Sequence, residues 1–126
     1  MKNEAKKKNS SKDLAKLVIK GIQEKKGKDI ALMDLQKVHG AVTNFFVIAS
    51  ANSDTQLSAI HDSVDKVVAE ESGEKPWQSE GRTNKEWILL DYGDVVVHLF
   101  KKNIRGFYNL EGLWGDAKIT HIKDEE

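Results

Sequence analysis

The run TNFFVIASA at residues 43–51 is the feature that most limits how this chain can fold. Phe45, Phe46, Val47, Ile48 and Ala49 are apolar at consecutive positions, and successive side chains of a strand point to opposite faces. A strand that is apolar on both faces sits inside a sheet with cover on each side. The chain therefore needs partner strands and two layers of packing, and it has 126 residues to supply them, the size of one domain.

The rest of the chain offers such elements. Ser10 or Ser11 can cap a helix with Asp13 in its first turn, followed by Leu14, Leu17, Val18 and Ile22 at helical spacing, with Gly27 as a stop. DIALMDL (29–35) reads as a strand carrying Ile30, Leu32 and Leu35. After the central strand, Ser53 is an N-cap and Asp54 lies in the first turn. Leu57, Ile60, Val64, Val67 and Val68 then trace one face of a long helix ending near Gly73. Residues 74–86 form a polar connection with the only proline. WILLDYGDVVVHLF (87–100) is a hairpin about Tyr92-Gly93, a turn that sets Asp91 opposite Asp94, Leu89 opposite Val96 and Trp87 opposite His98. IRGFYNLEGLW (104–114) reads as a short helix or helical turn broken by Gly106 and Gly112, and Ile119 to Ile122 as a short strand. This order predicts an α/β domain, a mixed β-sheet flanked by helices, over residues 11–122. A mobile basic tail precedes it at 1–10, and an acidic tip follows at 123–126.

Several function classes are set aside by composition. Formal net charge is zero, so nothing global draws the molecule to nucleic acid or a membrane. The absence of cysteine removes disulfides, thiolate metal sites and cysteine nucleophiles, and fits a reducing cytoplasm. No apolar run approaches the roughly 20 residues of a membrane span, and no apolar signal core follows the basic start. His61 and Asp65, four apart on the long helix, share a face, but two ligands do not make a structural metal site. The glycine motifs of nucleotide binding are missing. ANSD (51–54) could present backbone N–H groups to an anion, yet Asp29 with Asp34 and Asp91 with Asp94 are not spaced to converge on magnesium. Ser53 is therefore read as a helix cap. Ser53, His98 and Asp91 can be drawn as a triad, but no GxSxG supports it, and His98 reads as a hydrogen-bonded sheet histidine. No catalytic, cofactor or metal residue is expected.

The aromatics carry the stronger signal. RGFYNLEGLWGDA (105–117) gathers Arg105, Phe107, Tyr108 and Trp114, and Trp87 begins a strand just after Lys85-Glu86. Trp, Tyr and Arg are the residue types enriched at the energetic centres of interfaces. The reading has Trp87 partly exposed, Phe107, Leu110 and Leu113 closing the core, and Tyr108 and Trp114 bordering a contact surface.

Taken in order, DIALMDL, TNFFVIASANSDTQ, EGRTNKEWILLDYGDVVVHLF and RGFYNLEGLWGDA resemble the ribosomal silencing factor family, also called iojap-related proteins, from about residue 12 to residue 117. The chain departs from it at Asn44, where the family usually has Asp, and at Ala51-Asn52-Ser53, where it usually has Gly-Thr-Ser. The resemblance implies a nucleotidyltransferase-like fold without catalytic residues. It implies a cytoplasmic, non-enzymatic repressor that binds the large ribosomal subunit through a small ribosomal protein of the intersubunit face. The bound factor would block joining of the small subunit when nutrients are scarce. It also implies self-association as a homodimer. The basic tail could add a minor ribosomal RNA contact. By match to the family Trp87 is the anchor of the ribosomal contact; weaker members are His98 as its cross-strand neighbour, Tyr108, Glu111 and Trp114 from the aromatic segment, and Arg105, which can pair with an acid in this chain or in the partner. The competing reading is a nucleotide-binding, nucleotidyltransferase-like enzyme with Ser53 and Asp54 near a phosphate.

Overall fold

The computed structural model describes residues 10–124. The basic tail expected at 1–10 lies outside them except for Ser10, as do residues 125–126 of the acidic tip. Ser10 caps helix α1 (Ser11–Glu24), its hydroxyl accepting from the Asp13 N–H at 3.1 Å. Strand β1 (Lys28–Asp34) leads to β2 (Phe45–Ala51), and Ser53 caps the long helix α2 (Asp54–Ser72), which Gly73 ends in the left-handed conformation. Then come β3 (Gln78–Glu80), β4 (Trp87–Asp91) and β5 (Val95–Lys101), two short helices, α3 (Lys102–Tyr108) and α4 (Leu110–Leu113), and β6 (Lys118–Ile122).

The strands form one mixed sheet in the order β3-β4-β5-β2-β1-β6. β2 is central, parallel to β5 and antiparallel to β1, as an apolar run with two buried faces requires. Helices α1 and α2 lie over one face, on Ile30, Phe45, Val47, Ala49, Ile88, Leu90, Val97 and Leu99. From α1 that layer takes Leu14, Val18, Ile19 and Ile22, each worth about 2 kcal/mol of burial. The two helices meet closely at Gly21, where a Cβ would fall 2.8 Å from the Val64 Cα, and the Ser63 hydroxyl donates to the Gly21 carbonyl at 2.7 Å. Asn44, at the departure from the family pattern, donates its amide to the Ser11 hydroxyl at 3.1 Å, tying the approach to β2 to the start of α1.

The other face carries a smaller cluster, Ala31, Met33, Ile48 and Phe100, covered by Leu110, Ile104 and Trp114 of the segment after β5. Three expectations are corrected here. The hairpin turns at Gly93-Asp94, one residue later than expected, with Tyr92 N–H donating to the Val95 carbonyl. Glycine takes φ +89° at the first turn position, which suits a type II′ turn, and Asp91 Oδ1 accepts from its N–H. Trp87 therefore pairs with Phe100, Leu89 with His98 and Asp91 with Val96. Second, the helical segment breaks at Asn109, whose φ of 45° is left-handed, and Gly106 lies inside α3. Third, Phe107 and Leu113 do not close the core: they are 81% and 72% exposed, and of the three residues assigned that role Leu110 alone is buried. Two helices of seven and four residues each present only one narrow stripe to the sheet, and the break leaves Phe107 and Leu113 on the outer side. The polar connection also contributes the edge strand β3, whose exposed Gln, Ser and Glu carry no strand signal.

Candidate functional site

β4, β5 and α3 bring the aromatic residues into one band. Trp87, half-buried, lies against Phe100 (ring centroids 5.1 Å, planes 28° apart) and against Tyr108 (4.5 Å). Its indole N–H donates to His98 Nδ1 at 3.1 Å, across the diagonal of the strand pair. The His98 ring meets Phe46 edge-on at 4.5 Å, and Phe46 meets Trp114 edge-on at 5.9 Å. At the other end Phe107 stands edge-on to Tyr108 at 5.1 Å. By strand alternation Leu89 and Val96 share this face, both half-exposed. Exposed Tyr108 and Phe107 thus stand beside the fixed Trp87.

His98 is buried at 4% exposure. Because the indole donates to Nδ1, the neutral ring carries its proton on Nε2, an atom with no hydrogen-bond partner among the described residues. Burial among apolar rings pushes its pKa down to about 4, so it is neutral at physiological pH. A folded pKa below the unfolded value of about 6.5 means that the unfolded chain binds more protons between the two. That contribution is whole above about pH 6.5 and is lost as pH falls toward 4. His98→Asn keeps an acceptor near the Nδ1 position and does not titrate. Its unfolding free energy should change less than the parent's between pH 6.5 and 4.5, read by denaturant titration at each pH; parallel curves would contradict the assignment.

Arg105 is spent inside the chain. Its guanidinium is 13% exposed, donates to Glu111 Oε2 at 2.7 Å and to Ser50 Oγ at 2.9 Å, and also reaches the Asp29 carbonyl. The fork thereby staples α3 to α4 and to the ends of β1 and β2, which holds Tyr108 over Trp87. Of the six residues expected to meet a partner, Trp87, Tyr108 and Trp114 present surface, Glu111 is half-buried against Arg105, and His98 lies beneath Trp87.

The residues weighed for other chemistry have separate structural tasks. The Ser53 hydroxyl accepts from the Gln56 N–H at 3.0 Å. Asp54 pairs with Lys101 at 2.9 Å, whose ammonium holds its carboxyl below the usual range. Asp91 caps the hairpin turn rather than approaching His98 as a triad partner. His61 is buried and bridges Asp62 and Ser79, not Asp65. Among the described residues no group of three or more metal-binding side chains converges, and no helix is long and apolar enough to cross a membrane. Phe46 and Phe100, the floor of the aromatic band, went unassigned in the sequence; the spacing of Phe100 from His98 by two on a strand is the signal that marks it. Ser50 and Asp29, partners of Arg105, lie 55 and 76 residues away and leave no local signal.

The chain as a whole has relatives among known proteins. The family described as "Ribosomal silencing factor during starvation" matches residues 8–126. Ribosomal silencing factor RsfS of Halalkalibacterium halodurans is 36% identical over 114 residues, which is 90% of this chain and 96% of that protein. The protein of the same name from Bacillus subtilis is 37% identical over 113 residues, 90% of this chain and 94% of its own. A crystal structure of a Chromobacterium violaceum protein aligns with a TM-score of 0.78 at 36% identity, covering 84% of this chain and 87% of that one.

Proposed function

Because the chain belongs to the ribosomal silencing factor family, we propose that it is a non-enzymatic translational repressor that occupies the intersubunit face of the large ribosomal subunit. It docks there on a small ribosomal protein and excludes the small subunit by bulk, damping translation in the cytoplasm when nutrients are limiting. The observation that carries this reading is the aromatic band: a half-buried tryptophan, held by a hydrogen bond and two ring contacts, beside exposed Tyr108 and Phe107. A pre-ordered aromatic anchor loses little conformational entropy on docking and excludes water from the contact. Trp87, Tyr108 and Trp114 touch the partner in this account. His98, Arg105 and Glu111 hold them in place. These exposed aromatics also suit self-association, so a homodimer would use the same face as the ribosome. No cofactor is needed. The competing transferase reading would require Ser53 and Asp54, which are already engaged by Gln56 and Lys101.

The test is subunit joining. Excess protein added to separated large and small subunits should reduce the joined fraction in a sucrose gradient, and preincubation with the large subunit should be the effective order. Unchanged joining at saturating protein would defeat the proposal.

A further inference from the structure

Lysines are concentrated at one end of the strands. Where β2 and β5 end, Lys25, Lys26, Lys28, Lys85, Lys101 and Lys102 come together. Gln56 at the start of α2 donates to the carbonyls of Lys25 and Lys26, Lys28 pairs with Ser50 in the sheet, and Lys101 closes β5. Lys102 opens α3, and Lys85 is close enough to Asp54 to help depress its carboxyl. Where the same strands begin the charge is mixed, with Asp34, Asp91 and Asp94 beside Lys37 and Lys118. Among the described residues only Lys101 of the six lysines makes an ion pair, with Asp54. Of the carboxylates at this end Glu111 holds Arg105 and Asp54 holds Lys101, while Asp124, which accepts from the Asp29 N–H at 3.0 Å, and Asp29 keep their charge beside the lysines.

Two further observations coincide with the lysines. The four non-glycine residues with positive φ among the described residues, Lys26, Asp29, Lys85 and Asn109, all lie at this end. Asp and Asn tolerate a left-handed backbone and Lys26 and Asn109 follow helix ends, which leaves Lys85 as the one strained position of the four. The neighbouring strands β2 and β5 are parallel, and their helices leave over opposite faces, α2 over one and α3 over the other. In open α/β sheets this divergence at the carboxyl ends of strands is where ligands bind. An open cavity of about 650 Å³ lies there, lined by Lys102, Arg105 and Ser50 together with the carboxylates of Asp29, Glu111 and Asp124.

Lys28 and Lys102 line the cavities at the strand ends, whereas Lys26 and Lys85 lie outside them. Ammonium groups spread across a turn, two strand ends and a helix start match an extended polyanion better than one small ligand. This end also continues the docking face, since Lys85 is two residues before Trp87 and Lys102 shares α3 with Tyr108. We propose that the lysine end binds the phosphate backbone of ribosomal RNA, through residues distinct from the tail at 1–10, while the aromatic band meets protein. This rests on the ribosomal reading above.

The test compares the full chain with a variant carrying Lys26→Gln, Lys85→Gln and Lys102→Gln, both retaining residues 1–10. The probe is a fluorescent 20-nucleotide RNA hairpin, followed by anisotropy from 50 to 200 mM salt. Each phosphate contact removed should flatten the slope of log affinity against log salt by roughly 0.7 to 0.9. The variant should thus lose about two units of slope and bind about tenfold or more weakly at 50 mM, with an unchanged melting temperature. Equal binding by parent and variant, or no binding of the parent at 50 mM salt, would overturn the inference. So would full competition by a nucleoside triphosphate at concentrations where its added ionic strength has no effect, since that marks a small-ligand site. The assay contains no ribosomes. A protein that shows lysine-dependent RNA binding yet fails to pellet with the large subunit overturns the ribosomal reading. One that pellets without lysine-dependent RNA binding overturns this inference alone.

Discussion

Trp87→Ala should weaken binding to the large ribosomal subunit by at least about thirtyfold, roughly 2 kcal/mol, while the domain stays folded. The indole is fixed from two sides on the open face, by the His98 acceptor beneath it and by the Phe100 and Tyr108 rings beside it. Truncation removes the anchor and uncovers Phe100, which is fully buried. Some loss of stability accompanies it, about 1–2 kcal/mol for a half-buried side chain, short of unfolding a domain of this size. Trp87→Phe separates the two contributions, because it keeps ring area and lacks the N–H donor. It should retain most of the affinity if area dominates.

Arg105→Ala should be the most damaging change outside the core layers, costing about 3 kcal/mol of stability and about 10 °C in melting temperature. The guanidinium is nearly buried and serves three acceptors at once, so its removal strands Glu111 against the protein and frees the Ser50 hydroxyl and the Asp29 carbonyl. Arg105→Lys should recover only part of the loss, since one ammonium cannot reproduce a planar fork that reaches three sites. Denaturant unfolding measures the cost directly. A change below about 0.5 kcal/mol, typical of an exposed pair, would show that the network contributes little. Because the network positions α3, ribosome binding should fall with it even where the variant remains folded.

The parts of the fold that local chemistry dictates could be read from the sequence. The double-sided apolar run located β2 at the sheet centre, the Ser10-Ser11 pair and Ser53 marked two helix starts, with Ser10 proving to be the cap, and Gly73 marked an end. The hairpin itself was legible, but its register was not. Tyr92-Gly93 and Gly93-Asp94 are both acceptable two-residue turns by composition, and the choice is made by the left-handed φ of Gly93 at the first position. A shift of one residue in the turn moves the pairing by two, which keeps Trp87 and His98 on one face. Their contact therefore survives as a diagonal one. The segment after β5 was harder, because apolar residues in a broken helix have no period long enough to tell inside from outside. Phe107 and Leu113 were assigned to the core for their hydrophobicity, and Asn109 turns them outward. Of the candidate site, the aromatics were visible as residue types. A pairing of Arg105 with an acid of this chain was legible, and Glu111 supplies it, but the Ser50 and Asp29 partners were not, since they lie far away in the chain.

The most direct test of the account is co-sedimentation of the purified full chain with isolated large and small ribosomal subunits, run beside Trp87→Ala. The account predicts pelleting with the large subunit alone, lost in a variant whose circular dichroism and cooperative melting remain those of a folded domain. Pelleting with neither subunit at low salt, or equal pelleting of parent and folded variant, would contradict it.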